Sequence, residues 1–276
     1  MKKSTKKTRV TSAQRAKTEA RKGYFKLAGA AVVIAAGGAT YLAVSRSNIP
    51  LDEVTLCPAQ PSDIVTLVVD MTDPLNVAQR QDFKNQLTAL RNSIPRYGQL
   101  AVFKVDAVGE NLIQPVIVRC NPGTAADVSE ATGNPKATQK LHDQQFVEPL
   151  DRAFTEIMQA TAAGQSPIFE SVQSVALTEL NSPNAKTAKR KIILVSDLLQ
   201  NTSDISFYRS IPERQSFIES NAFRRVRTDL NQIEMELWVL ERGDAADTQP
   251  NSLIHLWNYA VQEQGGSVLR SYRISG

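Results

Sequence analysis

The chain has 276 residues, 42% hydrophobic and 22% charged, an ordinary globular composition with length enough for a substantial core. Its net charge of +4 comes from one end: residues 1–26 hold ten Lys and Arg against Glu19 alone, so the remaining residues carry −5. That acidic remainder removes the charge argument for a nucleic-acid-binding domain, and no nucleic acid is expected as a partner.

Residues 1–26 read as a basic tail. The uncharged run Leu27 to Val44 follows, and at helical rise it extends about 27 Å, close to the thickness of a hydrocarbon core. Tyr24, Phe25 and Tyr41 suit the two interfaces, and Lys26 and Arg46 can snorkel. Three readings compete: a transmembrane anchor over 27–45, a cleaved secretory signal ending near Ala43-Val44-Ser45, and a buried soluble helix. The anchor fits the length and flanks best. In the first two readings the basic flank stays in the cytoplasm and everything after about residue 46 is exported. The expected location is the inner membrane of a bacterium, with a cytoplasmic N-terminus and a periplasmic or extracellular C-terminal domain. Ala31, Ala35 and Ala39 share one helix face, where they either let helices approach or merely fill an anchor. Cys57 and Cys120 both lie beyond this segment, and an oxidising compartment permits one bridge between them. Two buried thiols are the other reading.

Residues 46–62, with Pro50, Pro58 and Pro61, read as a linker, and 63–276 as one α/β domain. Ile64 to Val69 is a nearly continuous apolar run, the mark of a strand buried on both faces, and it stops at Asp70. A helix is predicted over Val77 to Asn92 from Phe83, Leu87 and Leu90. Strands follow at Leu100–Val105 and Leu112–Val118, joined by a short turn at Gly109-Glu110-Asn111 that makes them antiparallel. Asn121 to Lys136 reads as a loop. Helices are predicted over Gln139–Ala163, with a kink at Pro149, and over Ile168–Leu180. Lys191 to Ser196 is a second buried strand that stops at an acid, Asp197. A helix over Glu213–Leu230, a strand over Glu234–Leu240, a helix over Leu253–Gln264 and a strand over Val268–Ile274 complete the chain. This alternation predicts a doubly wound, mostly parallel sheet with one antiparallel edge strand.

Ligands of open α/β sheets bind beyond the carboxyl ends of adjacent strands. If the two acid-ended strands are neighbours, Asp70 and Asp197 converge. Thr72 adds a hydroxyl, and Ser166 either caps the helix it precedes or faces the same crevice. Two carboxylates and two hydroxyls make a hard, oxygen-rich set suited to Mg²⁺ or another divalent cation.

Asp70-Met71-Thr72-Asp73-Pro74, Ser166-Pro167-Ile168-Phe169-Glu170 and Val195-Ser196-Asp197-Leu198 together resemble the three motifs of the von Willebrand factor type A (integrin I-like) family, over about residues 63–275. The resemblance implies a metal-ion-dependent adhesion site at Asp70, Thr72, Ser166 and Asp197. It implies a sheet in the order three-two-one-four-five-six with strand three antiparallel. It also puts Cys57 and Cys120 at the floor of that sheet and so favours the disulfide. Two departures stand out: Pro74 cannot supply the family's second hydroxyl, and Leu198 stands where glycine is usual. The competing reading is a decayed site in which Asp70 and Asp197 cap helices or bond loop amides.

Other chemistries fail on inventory. His142 and His255 are the only histidines and form no HExxH motif, and no GxSxG elbow, P-loop or GxGxxG is present. Asp151, Glu156 and Glu170 read as solvated helix carboxylates, and Arg224, Arg225 and Arg227 as a solvated helix face. No enzymatic activity and no small-molecule substrate are expected. The first functional reading is a binding module that takes an acidic group of a partner protein through a bound cation, as the resemblance implies. The second is a metal-independent structural subunit of an envelope complex for secretion, conjugation or defence. A metal-dependent hydrolase is a third, with the least in the sequence behind it.

Overall fold

The computed structural model describes residues 24–38, 49–71, 74–105, 112–130, 133–159, 164–242 and 249–274. The chain divides into two units, residues 1–50 and residues 51–276. In the first, residues 24–38 form a helix, α1, whose every residue is exposed, including Tyr24, Phe25, Leu27, Val32, Val33 and Ile34. The rest of the expected span, 39–45, lies outside the described residues. Among the described residues no helix is long and apolar enough to cross a membrane.

The second unit is built on six strands: β1 (Asp63–Val69), β2 (Gln99–Lys104), β3 (Pro115–Cys120), β4 (Lys189–Ser196), β5 (Ile233–Leu240) and β6 (Ser267–Ile274). They lie in the order β3-β2-β1-β4-β5-β6, all parallel except β3, which runs antiparallel to β2 at one edge. This is the order that the resemblance implies. The central β1 and β4 need no polar face because helices cover both sides, and Leu67, Val68, Ile193 and Leu194 are all fully or almost fully buried. β6, at the opposite edge, is half exposed.

One face of the sheet carries α5 (Ile168–Val175), α6 (Arg214–Glu219), α7 (Asn221–Val226) and α8 (Asn251–Gln262). Its core is aromatic: Phe169 stacks on Trp257 at 3.8 Å between ring centroids, and Phe207, Phe217 and Phe223 surround Phe169. The other face carries α2 (Val77–Ser93), α3 (Pro135–His142) and α4 (Glu148–Ile157); Phe83 and Leu87 of α2, Leu150 and Phe154 of α4, and Phe146 between α3 and α4 pack in one cluster with Leu67, Val195 and Trp238. A capping box of Asn76 and Gln79 starts α2, and the Gln79 amide also donates to the Glu241 carbonyl at 2.6 Å. That bond ties the first turn of α2 to the end of β5.

Four expectations shift. β3 begins at Pro115 and not Leu112, because the Ile113 N–H is taken by the Ser174 hydroxyl at 2.9 Å and the proline can serve only as a first strand residue. The helix expected from Gln139 starts at Pro135, capped by Asn134. Ahead of Pro149 it widens into a π-helical turn at Asp143–Val147, which accommodates the missing N–H and the ring. The helix expected over Glu213–Leu230 breaks at Ser220, whose extended backbone and hydroxyl cap a new start, α7, through the Phe223 N–H. Residues 51–62, read as linker, fold onto the floor of the sheet. There Cys57 and Cys120 form a disulfide with Cα atoms 4.8 Å apart, and the Cys120 N–H donates to the Thr55 carbonyl.

Candidate functional site

Asp70 follows β1 and Asp197 follows β4, and these strands are paired neighbours, so the two carboxyl groups meet at one end of the sheet. The Ser196 hydroxyl lies between them, 3.2 Å from Asp70 Oδ2 and 3.5 Å from Asp197 Oδ1. Ser166 Oγ lies 3.5 Å from Asp70 Oδ1. Both acids are nearly fully buried, with 2% and 6% exposure.

Ser166 faces the crevice because another residue caps α5. The Gln200 side-chain oxygen accepts the N–H groups of Ile168 and Phe169 at 2.8 and 3.0 Å, filling the role left open for Ser166. The other end of the Gln200 amide donates to Glu170, so Glu170 is held and not simply solvated as expected. The main chain of Ser166 pairs with Asn201, which fixes its position. Thr72, the fourth residue of the expected set, lies outside the described residues, as does Asp73. Asp70, Ser166 and Asp197 are brought together.

The two carboxyl groups differ in their neighbours. Among the described residues the Asp70 side chain accepts hydrogen bonds only from hydroxyl groups, and burial, followed by the negative charge of Asp197, pushes its pKa up to about 7 against the Ser196 and Ser166 hydrogen bonds and the Arg242 charge. Asp197 is also raised by burial, but the Leu199 N–H, the Arg242 guanidinium and the Tyr208 hydroxyl oppose the shift. Arg242 donates through Nε to Asp197 Oδ2 at 2.7 Å, and the Tyr208 hydroxyl donates to the same oxygen at 3.1 Å. Tyr208 also accepts from Arg242 Nη2, and the guanidinium carbon lies 5.0 Å from the Tyr208 ring centroid.

Three residues that the sequence reading passed over, Arg242, Tyr208 and Gln249, build this half of the crevice. Gln249 is buried, donates to the main-chain oxygens of Asp197 and Leu240 at 3.0 and 2.8 Å, and accepts the Arg242 N–H at 2.8 Å. A signal for Arg242 was present: it lies two residues past β5, the neighbour of β4, so the strand-end rule that picked the two acids reaches it as well. Leu198, in the glycine position of the motif, takes φ +64° and buries its side chain completely, while its carbonyl accepts the Trp257 indole N–H at 3.0 Å.

The donor set bears directly on a divalent ion. Asp70, Ser166 and Ser196 offer oxygens of the right hardness. Asp197 is largely taken: Oδ1 accepts the Leu199 N–H at 2.9 Å, and Oδ2 accepts from Arg242 and Tyr208. Among the described residues no three His, Cys, Asp or Glu side chains converge in a cluster fit for a metal. The described residues therefore fit one cation, and a guanidinium stands beside them.

Elsewhere, His142 lies beside Asp143, Asp151 pairs with Arg91, and Arg225 pairs with Asp204. No family model and no curated protein matches the chain. Among solved structures it is similar to the crystal structure of an aerotolerance-related membrane protein from Bacteroides fragilis NCTC 9343 carrying multiple mutations to serines. The identity is 9% and the TM-score 0.36, over 78% of this chain and 92% of that chain.

Proposed function

We propose that this chain is a membrane-anchored binding module of the von Willebrand factor A type, whose crevice at the carboxyl ends of β1, β4 and β5 takes an acidic group of a partner protein outside the cytoplasm. The observation that carries the reading is the meeting of Asp70, Ser166 and Asp197 at neighbouring strand ends, in a sheet ordered three-two-one-four-five-six. Beside the buried acidic pair, the partly exposed Arg242 guanidinium is the cation that a partner's carboxylate would meet. Anchoring is supported by the charge step across residues 1–26 and by α1, which is apolar through most of its length and exposed on all sides. The disulfide suits an oxidising compartment.

The test is photo-crosslinking of the full chain in membranes, with a crosslinker placed at the crevice rim. Partner capture that Asp70→Ala and Ser166→Ala abolish, with circular dichroism unchanged, supports the module. A second reading, a structural subunit of an envelope complex held by its anchor, draws on the same exposed α1. Under it, capture survives both crevice variants and is lost when residues 24–45 are replaced by an unrelated transmembrane helix.

A further inference from the structure

We infer that the cation of this crevice is the Arg242 guanidinium, standing where a divalent metal would otherwise sit, so that the module works without metal. The inference rests on the binding-module reading above and concerns the same site.

The geometry that carries it is the occupancy of Asp197. A carboxylate has roughly four in-plane acceptor positions. For Asp197 three donors are in place: the Leu199 N–H at Oδ1, and Arg242 and the Tyr208 hydroxyl at Oδ2, while the single Ser196 proton goes to the nearer Asp70. A metal ion bound to both acids would find only the remaining Oδ1 position on Asp197 and would sit against a fixed positive charge.

Arg242 is also held independently of the ion pair. Gln249 grips its N–H at one end of the amide and the carbonyls of Asp197 and Leu240 at the other. The backbone that bears the guanidinium is thereby locked to the turn that bears the carboxylate. Tyr208 holds the head group from a second side, through its hydroxyl and its ring. A flexible surface arginine would lose much of its attraction to side-chain entropy, whereas this one is placed in advance. Ser196 and Ser166 complete the arrangement by satisfying Asp70 with neutral hydroxyl groups, so that acid needs no second cation.

The experiment uses the full chain in detergent, with Mn²⁺ and Mg²⁺ chlorides as probes, read by calorimetry, by the paramagnetic signal of free Mn²⁺ and by thermal melting. The wild type is expected to bind neither ion and to melt at the same temperature in EDTA and in millimolar metal. Arg242→Ser is expected to gain Mn²⁺ binding, seen as a Tm raised by several degrees at saturation and lost again when Asp197→Asn is added. Should Arg242→Ser not fold, Arg242→Gln keeps a donor to Asp197 while removing the charge, and the same gain is expected. Wild-type Mn²⁺ binding that Asp197→Asn abolishes overturns the inference. So does a folded Arg242 variant that gains none. Failure of the binding-module reading is separate: it shows as partner capture indifferent to Asp70→Ala, while the metal titrations still decide which cation the crevice uses.

Discussion

The Gln249 side chain donates to the main-chain oxygen of Asp197 at 3.0 Å. One buried amide thus joins the turn after β4 to the segment after β5, and everything on the cationic side of the crevice depends on that splice. Gln249→Ala takes this partner from two buried carbonyls and a part-buried N–H, at about 1–3 kcal/mol for each one left unpaired that water fails to reach. Urea unfolding of the variant is expected to show a loss of at least ~2 kcal/mol. A change under half of that would mean the two segments are joined by something else.

Asp70 makes stability depend on pH. Its folded pKa, about 7, stands above the usual carboxyl value of 3.8, so the folded state binds the proton more tightly than the unfolded chain does. Stability is therefore greatest at low pH in this window and falls as pH rises from about 4 to about 7. Asp197, shifted the same way, adds to the fall. Asp70→Asn removes the cost of ionising the buried acid, for which about 4 kcal/mol is an upper bound. The variant is expected to be more stable than the wild type at pH 8 and to show a flatter profile across pH 4–7, measured by denaturant titration at each pH. A variant less stable at pH 8 would contradict the assignment.

Leu198 offers an inverted substitution order. Glycine normally destabilises more than alanine, but at φ +64° a Cβ costs about 1–2 kcal/mol. Both Leu198→Ala and Leu198→Gly lose a fully buried side chain, at ~2–5 kcal/mol. The glycine variant is expected to be the more stable of the two, by about 1 kcal/mol, in a melt of both proteins side by side. The ordinary order would show that the turn relaxes away from the left-handed region.

The Cys57–Cys120 bridge closes a loop of 63 residues in sequence separation, for which chain entropy gives about 4 kcal/mol. Reduction, or the Cys57→Ser, Cys120→Ser double variant, is expected to lower stability by that amount without altering the secondary-structure signal. Labelling the untreated protein with a thiol reagent should modify neither cysteine.

Much of the sheet could be read from the residues because its centre is buried on both faces. The apolar runs ending at Asp70 and Asp197 carry no alternation, and that pattern belongs to central parallel strands. The two acids and Ser166 were accessible for the same reason, since strand ends and helix starts are visible in the chain itself. Arg242 was within reach of the same strand-end rule at β5, whereas Tyr208 and Gln249 were not, because their role comes only from which segments lie beside which. Tyr208 sits in a loop with no periodicity, and nothing local separates Gln249 from any other polar loop residue. The break at Ser220 was hidden because residues 213–230 contain neither Gly nor Pro to mark it.

The disulfide has a mechanical consequence. Tension arriving along the chain from ahead of Leu51 meets Cys57 before it meets β1, and the covalent bond passes the load to Cys120 at the end of β3. Residues 58–62 stay slack, and the first strand, which bears Asp70, is spared from being peeled off its neighbours. A pull from that side of the chain is thus absorbed by the sheet's outermost strand, far in sequence from the acids that face the other way.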